Sequence, residues 1–276
     1  MFVFFAPPGP FDGMACCFDD GTRFVAGLVA TPLISYYDAT LDPNFLRETL
    51  LPYLRGVADF YTSYSRPRNT SSSACNGCGN LGSAGIVYDI PFTCAQEICS
   101  PSGQLHNAHQ DLAYARMAYT KLLNLTEPGS VHTKALLPLE RHEQPDDQAV
   151  TAQDRAEWLR MLHGLAMFPQ QISPYGNIYA EGVGVNSSMM PDPGADSGYP
   201  IAHFAAMHPA EVIDLASDPQ LLDVARNTVQ MENDGDRFAP GGAGFCLAWP
   251  AAAKVANRQM VREYDRSVSA DYAPRL

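Results

Sequence analysis

A glutamate between two cysteines is the first feature of the chain that could take part in catalysis. In YDIPFTCAQEICSPSG, residues 88–103, Glu97 lies between Cys94 and Cys99. A carboxylate on a loop that is tethered on both sides can be held at a fixed position, as general acid catalysis requires. The alternative interpretation is a solvated surface glutamate, which is common in the loops of acidic proteins.

Further carboxylates lie in a second polar loop. Glu181, Asp192 and Asp196 fall within residues 168–199, a stretch rich in Gly, Pro, Ser and Asn. Glycoside hydrolysis needs a protonated carboxylic acid at the leaving oxygen and a second carboxylate that activates water or attacks the sugar. Carboxylates on two loops over one cleft fit that requirement.

Four cysteines occur as two pairs around the first loop. The pairs are Cys75-x2-Cys78 and Cys94-x4-Cys99. Four thiolates suit a structural zinc ion, although the second spacing exceeds the usual two intervening residues. Disulfides that staple the loop and free thiols are the other two interpretations. The spacing leaves all three open.

Seven cysteines and three Asn-x-Ser/Thr sequons favour a secreted or lysosomal, extracellular setting. The sequons begin at Asn69, Asn124 and Asn186. The first ten residues, MFVFFAPPGP, lack the basic residues of a signal peptide, and their apolar run ends at Pro7. We therefore expect an interior piece of a longer protein, with the remainder of that parent chain as its partner.

The charge of the chain restricts its partners. The formal net charge is −12 over 276 residues, and the isoelectric point is about 4.9. An acidic surface without basic clusters repels phosphate backbones, so we expect no nucleic acid partner. No apolar run reaches the roughly eighteen residues of a membrane-spanning helix, so we expect no membrane segment.

Apolar residues at three- and four-residue steps predict helices along much of the chain. The strongest pattern follows Asp42-Pro43, an N-cap with proline at the first helical position, and Pro52 should kink that helix. Asn107 and Gln110 form a capping-box pattern before the helix DLAYARMAYTKLLNL. Further helices are predicted over residues 24–37, 131–141, 152–166 (N-cap Thr151), 209–216, 219–231 (N-cap Asp218) and 245–264.

No alternating pattern of any length predicts a strand. Helix pairs instead alternate with two long irregular loops, residues 66–105 and 168–199. This rhythm predicts an all-α fold, an (α/α)6 toroid-like helical array with long functional loops on one rim. The interpretation makes residues 1–276 a single, partial catalytic domain.

Several segments resemble glycoside hydrolase family 95, the α-L-fucosidase and α-L-galactosidase group. Residues 20–64, from DGTRF to FYTSY, are similar to a helix pair of that family, with its aromatic helix end (YY), its Thr-x-Asp turn (TLD) and its FLRE motif. PFTCAQEICSPSG, HNAHQDLAYARMAYTKLL, GNIYAEGVG, GYPIAHFAAMHPAEVI and GGAGFCLAWPAAAKVANR follow in the family's order. The resemblance covers most of the chain.

The resemblance implies an inverting glycosidase that acts on α-linked deoxy or neutral sugars in an oligosaccharide or polysaccharide. Glu97 would be the general acid, and Asp111 matches an aspartate at the start of the following helix. The residues implied in substrate binding are Glu181, Tyr199, His203 and Trp249. The resemblance implies neither a metal ion nor a cofactor at the site.

The chain also departs from the family pattern. Gly198-Tyr199-Pro200 stands where the family has its Arg-His pair, and the family's base side has no counterpart in these 276 residues. One alternative is therefore a catalytically inactive relative that binds carbohydrate or serves as a scaffold. The other is an interaction domain held by zinc at the two cysteine pairs.

Overall fold

The chain folds mainly into helices. A computed structural model describes residues 23–69, 85–91, 105–136, 150–180, 182–184, 204–234, 251 and 253–255. Among these residues, 60% are helical, which confirms the predicted predominance of helix. The helical segments are α1 (Val25–Thr40), α2 (Pro43–Phe45), a π-helical turn (Leu46–Leu50), α3 (Leu51–Tyr64), α4 (His109–Leu125), α5 (Val131–Leu136), α6 (Ala152–Gly164) and α7 (Pro219–Asp234).

Three helices begin at the N-cap residues that the sequence predicts. Asp42 Oδ1 accepts hydrogen bonds from the backbone N–H groups of Asn44 and Phe45, at 2.9 and 3.3 Å. Thr151 and Asp154 form a reciprocal capping box at α6, and Asp218 caps α7 through the N–H of Gln220 at 2.8 Å. These local bonds satisfy backbone donors that a helix leaves open at its N-terminus.

Helices α2 and α3 form one continuous helix through the π-helical turn. The turn directly precedes α3, whose second residue is Pro52. Proline has no N–H to donate to the carbonyl four residues earlier, and a π-helical turn is one way in which a helix absorbs such a break. The helix therefore continues past Pro52, as the sequence predicted.

Helix α4 occupies the centre of the described fold. It packs against α1, α3 and α6, and buried residues occur on every side of its first three turns. Gly27 of α1 faces Tyr114 of α4, and a Cβ at Gly27 would lie 2.2 Å from the Cβ of Tyr114. Glycine is therefore required there, because any larger residue would push the two helices apart.

Within the described ranges, three small antiparallel sheets correct the expectation that the chain has no strands. They pair β1 (Arg66–Asn69) with β2 (Ile86–Asp89), β3 (Leu105–His106) with β6 (Val183–Gly184), and β4 (Gln170–Ser173) with β5 (Gly176–Tyr179). Apart from His106, all residues of these strands lie within the two stretches that the sequence predicted as irregular loops. Strands of two to four residues are too short to show an alternating pattern.

The helix predicted over residues 209–216 is wrong. The chain there forms turns and bends instead, and Glu211 has a positive φ of 53°. The carbonyl of Ala206 accepts hydrogen bonds from the N–H groups of both Val212 and Ile213, at 2.8 and 2.9 Å. A left-handed residue ends a helix, so the stretch folds into turns that bury only Ala210 and Ile213.

None of the helices in the described ranges is both long and apolar enough to cross a bilayer.

Candidate functional site

The predicted site residues lie outside the part of the chain that the structure describes. These residues are Glu97, Glu181, Tyr199, His203 and Trp249. The two cysteine pairs, Asp192 and Asp196 fall outside it too. Asp111 is described, and it lies in the first turn of α4, where the resemblance expects an aspartate.

The pairing of β3 with β6 joins the end of the first long stretch, residues 66–105, to the middle of the second, residues 168–199. Leu105 pairs with Gly184, and His106 pairs with Val183. The segment that contains Glu97 enters β3, and the segment that contains Tyr199 leaves β6. Since the strands are antiparallel, the chain before Leu105 and the chain after Gly184 start from the same end of this ladder. Helix α4 begins three residues after β3.

Asn107 joins this ladder to the sheet of β1 and β2. Its side-chain oxygen accepts a hydrogen bond from the N–H of Ile90 at 2.8 Å, and its Nδ2 donates to Asp89 Oδ1 at 2.8 Å. The predicted capping box with Gln110 is therefore wrong, and the residue at the N-cap position is Ala108, which makes no side-chain bond. The asparagine side chain is instead bonded to Ile90 and to Asp89 of β2, seventeen and eighteen residues earlier in the chain.

The first turn of α4 contains a buried carboxylate, that of Asp111. Asp111 has no exposed surface, and its Oδ1 accepts a hydrogen bond from the hydroxyl of Tyr61 at 3.0 Å. Burial, followed by the charge of Asp111, raises the pKa of Tyr61 well above its ordinary range. The tyrosine therefore stays protonated and acts as the donor.

A histidine in the same turn of α4 lies among aromatic rings. His109 is fully buried, and its ring centroid lies 4.6 Å from that of Phe168 and 4.8 Å from that of Tyr179. The hydroxyl of Tyr179 donates to the carbonyl of Leu221 in α7, at 3.0 Å. The rings therefore connect the first turn of α4 to the hairpin of β4 and β5 and to α7.

Arg116 fixes the end of α6 against the same cluster. Its guanidinium donates to the carbonyls of Leu162, Leu165 and Ala166, at 3.3, 3.2 and 2.7 Å. Its Cζ lies 5.3 Å from the ring centroid of Phe168, a cation–π contact. Burial lowers the pKa of Arg116 to about 10, so it remains charged at neutral pH. The arginine supplies the donors that the last carbonyls of a helix require.

We call the four buried side chains of Tyr61, His109, Asp111 and Tyr179 the polar base of the candidate site. None of them has more than a trace of exposed surface, so they do not meet a substrate from bulk solvent. Their contribution is positional: the Tyr61–Asp111 hydrogen bond joins α3 to α4, and the contact of His109 with Tyr179 joins α4 to the hairpin of β4 and β5. Within the described ranges, no three His, Cys, Asp or Glu residues form a group able to hold a metal ion.

Sequence reasoning missed most of this base. Tyr61 appeared only as part of the apolar face of a helix, and Tyr179 appeared within an irregular loop. The available signal for Tyr179 is QQISPYGNIY, in which Pro-Tyr-Gly separates two short strand-forming runs. The signal for Arg116 is a single arginine within the apolar stretch DLAYARMAY of α4.

No protein-family model matches the chain, and no curated protein matches it at a significant level. The resemblance to glycoside hydrolase family 95 therefore stays a prediction from the motifs.

Proposed function

We propose that the chain is part of the catalytic domain of an inverting glycoside hydrolase that acts on α-linked deoxy or neutral sugars. Glu97 donates the proton to the leaving glycosidic oxygen. The domain is an (α/α)6 toroid-like array, to which the parent protein contributes the remaining helices and the base that activates water. The protein acts outside the cytosol on an oligosaccharide or polysaccharide.

The pairing of β3 with β6 carries this proposal. A glycosidase site needs two carboxyl-bearing segments on opposite sides of one sugar. The segment before Leu105, which contains the proposed acid, and the segment after Gly184, which contains Tyr199 and His203, leave from one end of a single ladder, and the chain continues to α4 from the other end. That arrangement provides a common origin for the acid and for two of the proposed sugar contacts.

Each proposed residue has a role that suits its chemistry. Glu97 is the proton donor, and a general acid of this kind needs a pKa raised by a partly apolar cleft. Tyr199 and Trp249 offer aromatic faces for the apolar side of a sugar ring. Glu181 and His203 offer polar groups for its hydroxyls. An inverting mechanism leaves room for one water between acid and base, about 6.5–9.5 Å apart.

A catalytically inactive, carbohydrate-binding relative is the second candidate. The sequence Gly198-Tyr199-Pro200 favours this candidate, because it lacks the Arg-His pair that glycoside hydrolase family 95 has at the same position. A protein of this kind would retain sugar binding and show no turnover.

The test is a pair of matched substitutions in the longest natural protein that contains the chain. Glu97→Gln keeps the shape of the side chain but removes the acid proton, so kcat on aryl and natural α-L-fucosides and α-L-galactosides should fall at least a hundredfold. Glu48→Gln, on the exposed face of the π-helical turn, is the control and should leave kcat unchanged. Sugar binding, measured by calorimetry, should survive in both variants.

The outcomes separate the two candidates. Turnover that Glu97→Gln leaves intact removes Glu97 from the role of acid. Sugar binding without turnover in the unsubstituted protein would establish the inactive relative instead. Proton NMR of the sugar that is released first determines the stereochemistry of hydrolysis, since an inverting enzyme releases the β-anomer from an α-linked substrate.

A further inference from the structure

The hairpin of β4 and β5 has one covered edge. The N–H of Tyr179 in β5 donates to Thr228 Oγ1 at 2.8 Å, and Asn227 Nδ2 donates to the carbonyl of Asn177 at 3.1 Å. Thr228 and Asn227 lie in α7. Side chains of α7 therefore bond to the backbone groups that β5 directs away from β4.

The other edge of the hairpin is open. Gln170 pairs with Tyr179, and Ile172 pairs with Asn177. In an antiparallel ladder, two residues that pair directly either bond to each other or both direct their N–H and C=O groups outward. The groups of Tyr179 and Asn177 point outward to α7, so those of their partners in β4 point outward on the opposite side. Within the described ranges, no hydrogen bond reaches these groups of Gln170 and Ile172.

The open edge of β4 has an exposed apolar side chain and no charge. Ile172 is 89% exposed, the largest fraction for any large apolar side chain in the part of the chain that the structure describes. No charged residue occurs from Met167 to Ala180. Charged residues and proline are common means of protecting an edge strand, and residues 170–173 contain neither. An unprotected edge is a template for a further strand.

The spacing of the open groups suits a second copy of the same strand. When residue 171 of two antiparallel copies lies on a two-fold axis, Gln170 of each copy faces Ile172 of the other. Both residues have outward N–H and C=O groups, so each facing pair exchanges two backbone hydrogen bonds. The two-fold axis closes the contact at two copies.

The charge of the chain also favours this edge as the place where two copies meet. The net charge is −12, so the acidic surfaces of two copies repel each other. The hairpin is neutral, so its edges approach without like charges in contact. Pairing also removes part of the Ile172 side chain from water, which is favourable.

We propose that β4 is a self-association edge at which two copies of the chain form one four-stranded sheet. Its strand order is β5 and β4 of one copy, followed by β4 and β5 of the other. Only four residues of each strand make the contact, which is small beside the roughly 1,200–2,000 Å² of stable complexes. We therefore expect a weak dimer, with a Kd on the order of 10–100 µM.

Sedimentation velocity of the longest natural protein that contains the chain tests the dimer. Between about 1 and 200 µM, monomer should convert to dimer. Ile172→Lys places a charge on the edge of each copy and should raise the Kd roughly tenfold or more. Val131→Lys, at a side chain in α5 that is 69% exposed, is the control and should change the Kd less than about threefold. Circular dichroism should show the same helical signal in all three proteins.

Three results would overturn the proposal. The first is a protein that stays monomeric at about 200 µM, which would leave the edge to a strand of a different protein. The second is a dimer whose Kd does not change with Ile172→Lys. The third is an equal rise of the Kd in both lysine variants, since added charge would then act wherever it is placed.

Cysteine cross-linking tests the register of the two strands. In the proposed pairing, Gln171 faces its own counterpart in a non-hydrogen-bonded pair, with Cβ atoms about 4.5–5.5 Å apart. Gln171→Cys should therefore form a disulfide between two copies under mild oxidation. Ser173→Cys is the matched control, because residues 173 of the two copies lie four positions apart along the ladder, or about 13 Å.

Mass spectrometry of the covalent dimer distinguishes a link between two residues 171 from links through the native cysteines. The 171–171 link should dominate in Gln171→Cys, and a 173–173 link should be absent from Ser173→Cys. Equal yields of the two links, or no 171–171 link at all, would contradict the proposed pairing.

Discussion

Replacing Tyr61 with phenylalanine removes one hydroxyl from the polar base and leaves the ring in place. That hydroxyl donates to Asp111 Oδ1 at 3.0 Å, and neither side chain has exposed surface. The pKa of Tyr61 is raised by burial and by Asp111, so the donor is protonated throughout the neutral range. The substitution therefore removes a charge-assisted hydrogen bond that no solvent molecule replaces without opening the core.

The structure gives a magnitude and a matched control. A hydrogen bond to a charged group contributes about 1.5–3 kcal/mol, and Asp111 keeps further interactions, so we expect a loss of about 2 kcal/mol for Tyr61→Phe. Tyr179→Phe is the control, because its buried hydroxyl donates to one neutral group, the Leu221 carbonyl, at 3.0 Å. A neutral bond contributes about 1 kcal/mol.

Urea unfolding followed by far-ultraviolet circular dichroism measures both variants. With a slope of about 2 kcal/mol/M, Tyr61→Phe should lower the midpoint by about 1 M and Tyr179→Phe by about 0.5 M. Equal losses, or a larger loss for Tyr179→Phe, would show that Asp111 does not depend on this donor. The assignment of Asp111 to the polar base would then be wrong.

Two other predictions concern alkaline stability and the cellular setting. Burial raises the pKa of Tyr114 and Tyr179, so the stability that these two protonated side chains contribute is present below pH 10. As the pH rises above 10, the free energy of unfolding should fall by about 1.4 kcal/mol per pH unit for each residue. The absorbance of their tyrosinate forms at 295 nm should appear only when the helical signal is lost, and Tyr→Phe variants identify the share of each residue. Asn124 is exposed and begins an Asn-Leu-Thr sequon, so a secreted preparation should carry a glycan that Asn124→Gln abolishes; an unmodified Asn124 would contradict the proposed secretory setting.

Helices were predictable because their signals are local. Apolar spacing and the caps at Asp42, Thr151 and Asp218 identify the starts of α2, α6 and α7 within one or two residues. Each cap bonds to backbone groups two or three residues away, so one short window contains the whole interaction. For the same reason, the predominance of helix followed from the sequence alone.

Asn107 shows where local reasoning fails. Its pattern with Gln110 satisfies the rule for a capping box, yet its side chain bonds to Ile90 and Asp89. Those partners lie seventeen and eighteen residues earlier in the chain. A capping-box pattern covers only four residues, so it does not reveal a competing hydrogen-bond partner that lies on a distant strand. The strand itself is too short to show a period.

The polar base depends on both local and long-range interactions, and this explains why only one of its residues was predicted from the sequence. Asp111 was matched through a motif at a helix start, which is a local feature. Tyr61 belongs to α3 and Tyr179 to β5, and the helices and strands must assemble before either ring reaches α4. Burial then decides their roles, because a buried tyrosine hydroxyl or carboxylate must find a partner. The candidate site is therefore a product of packing around α4, and substitutions in α3 should affect it as strongly as substitutions in the segments that contain the proposed catalytic groups.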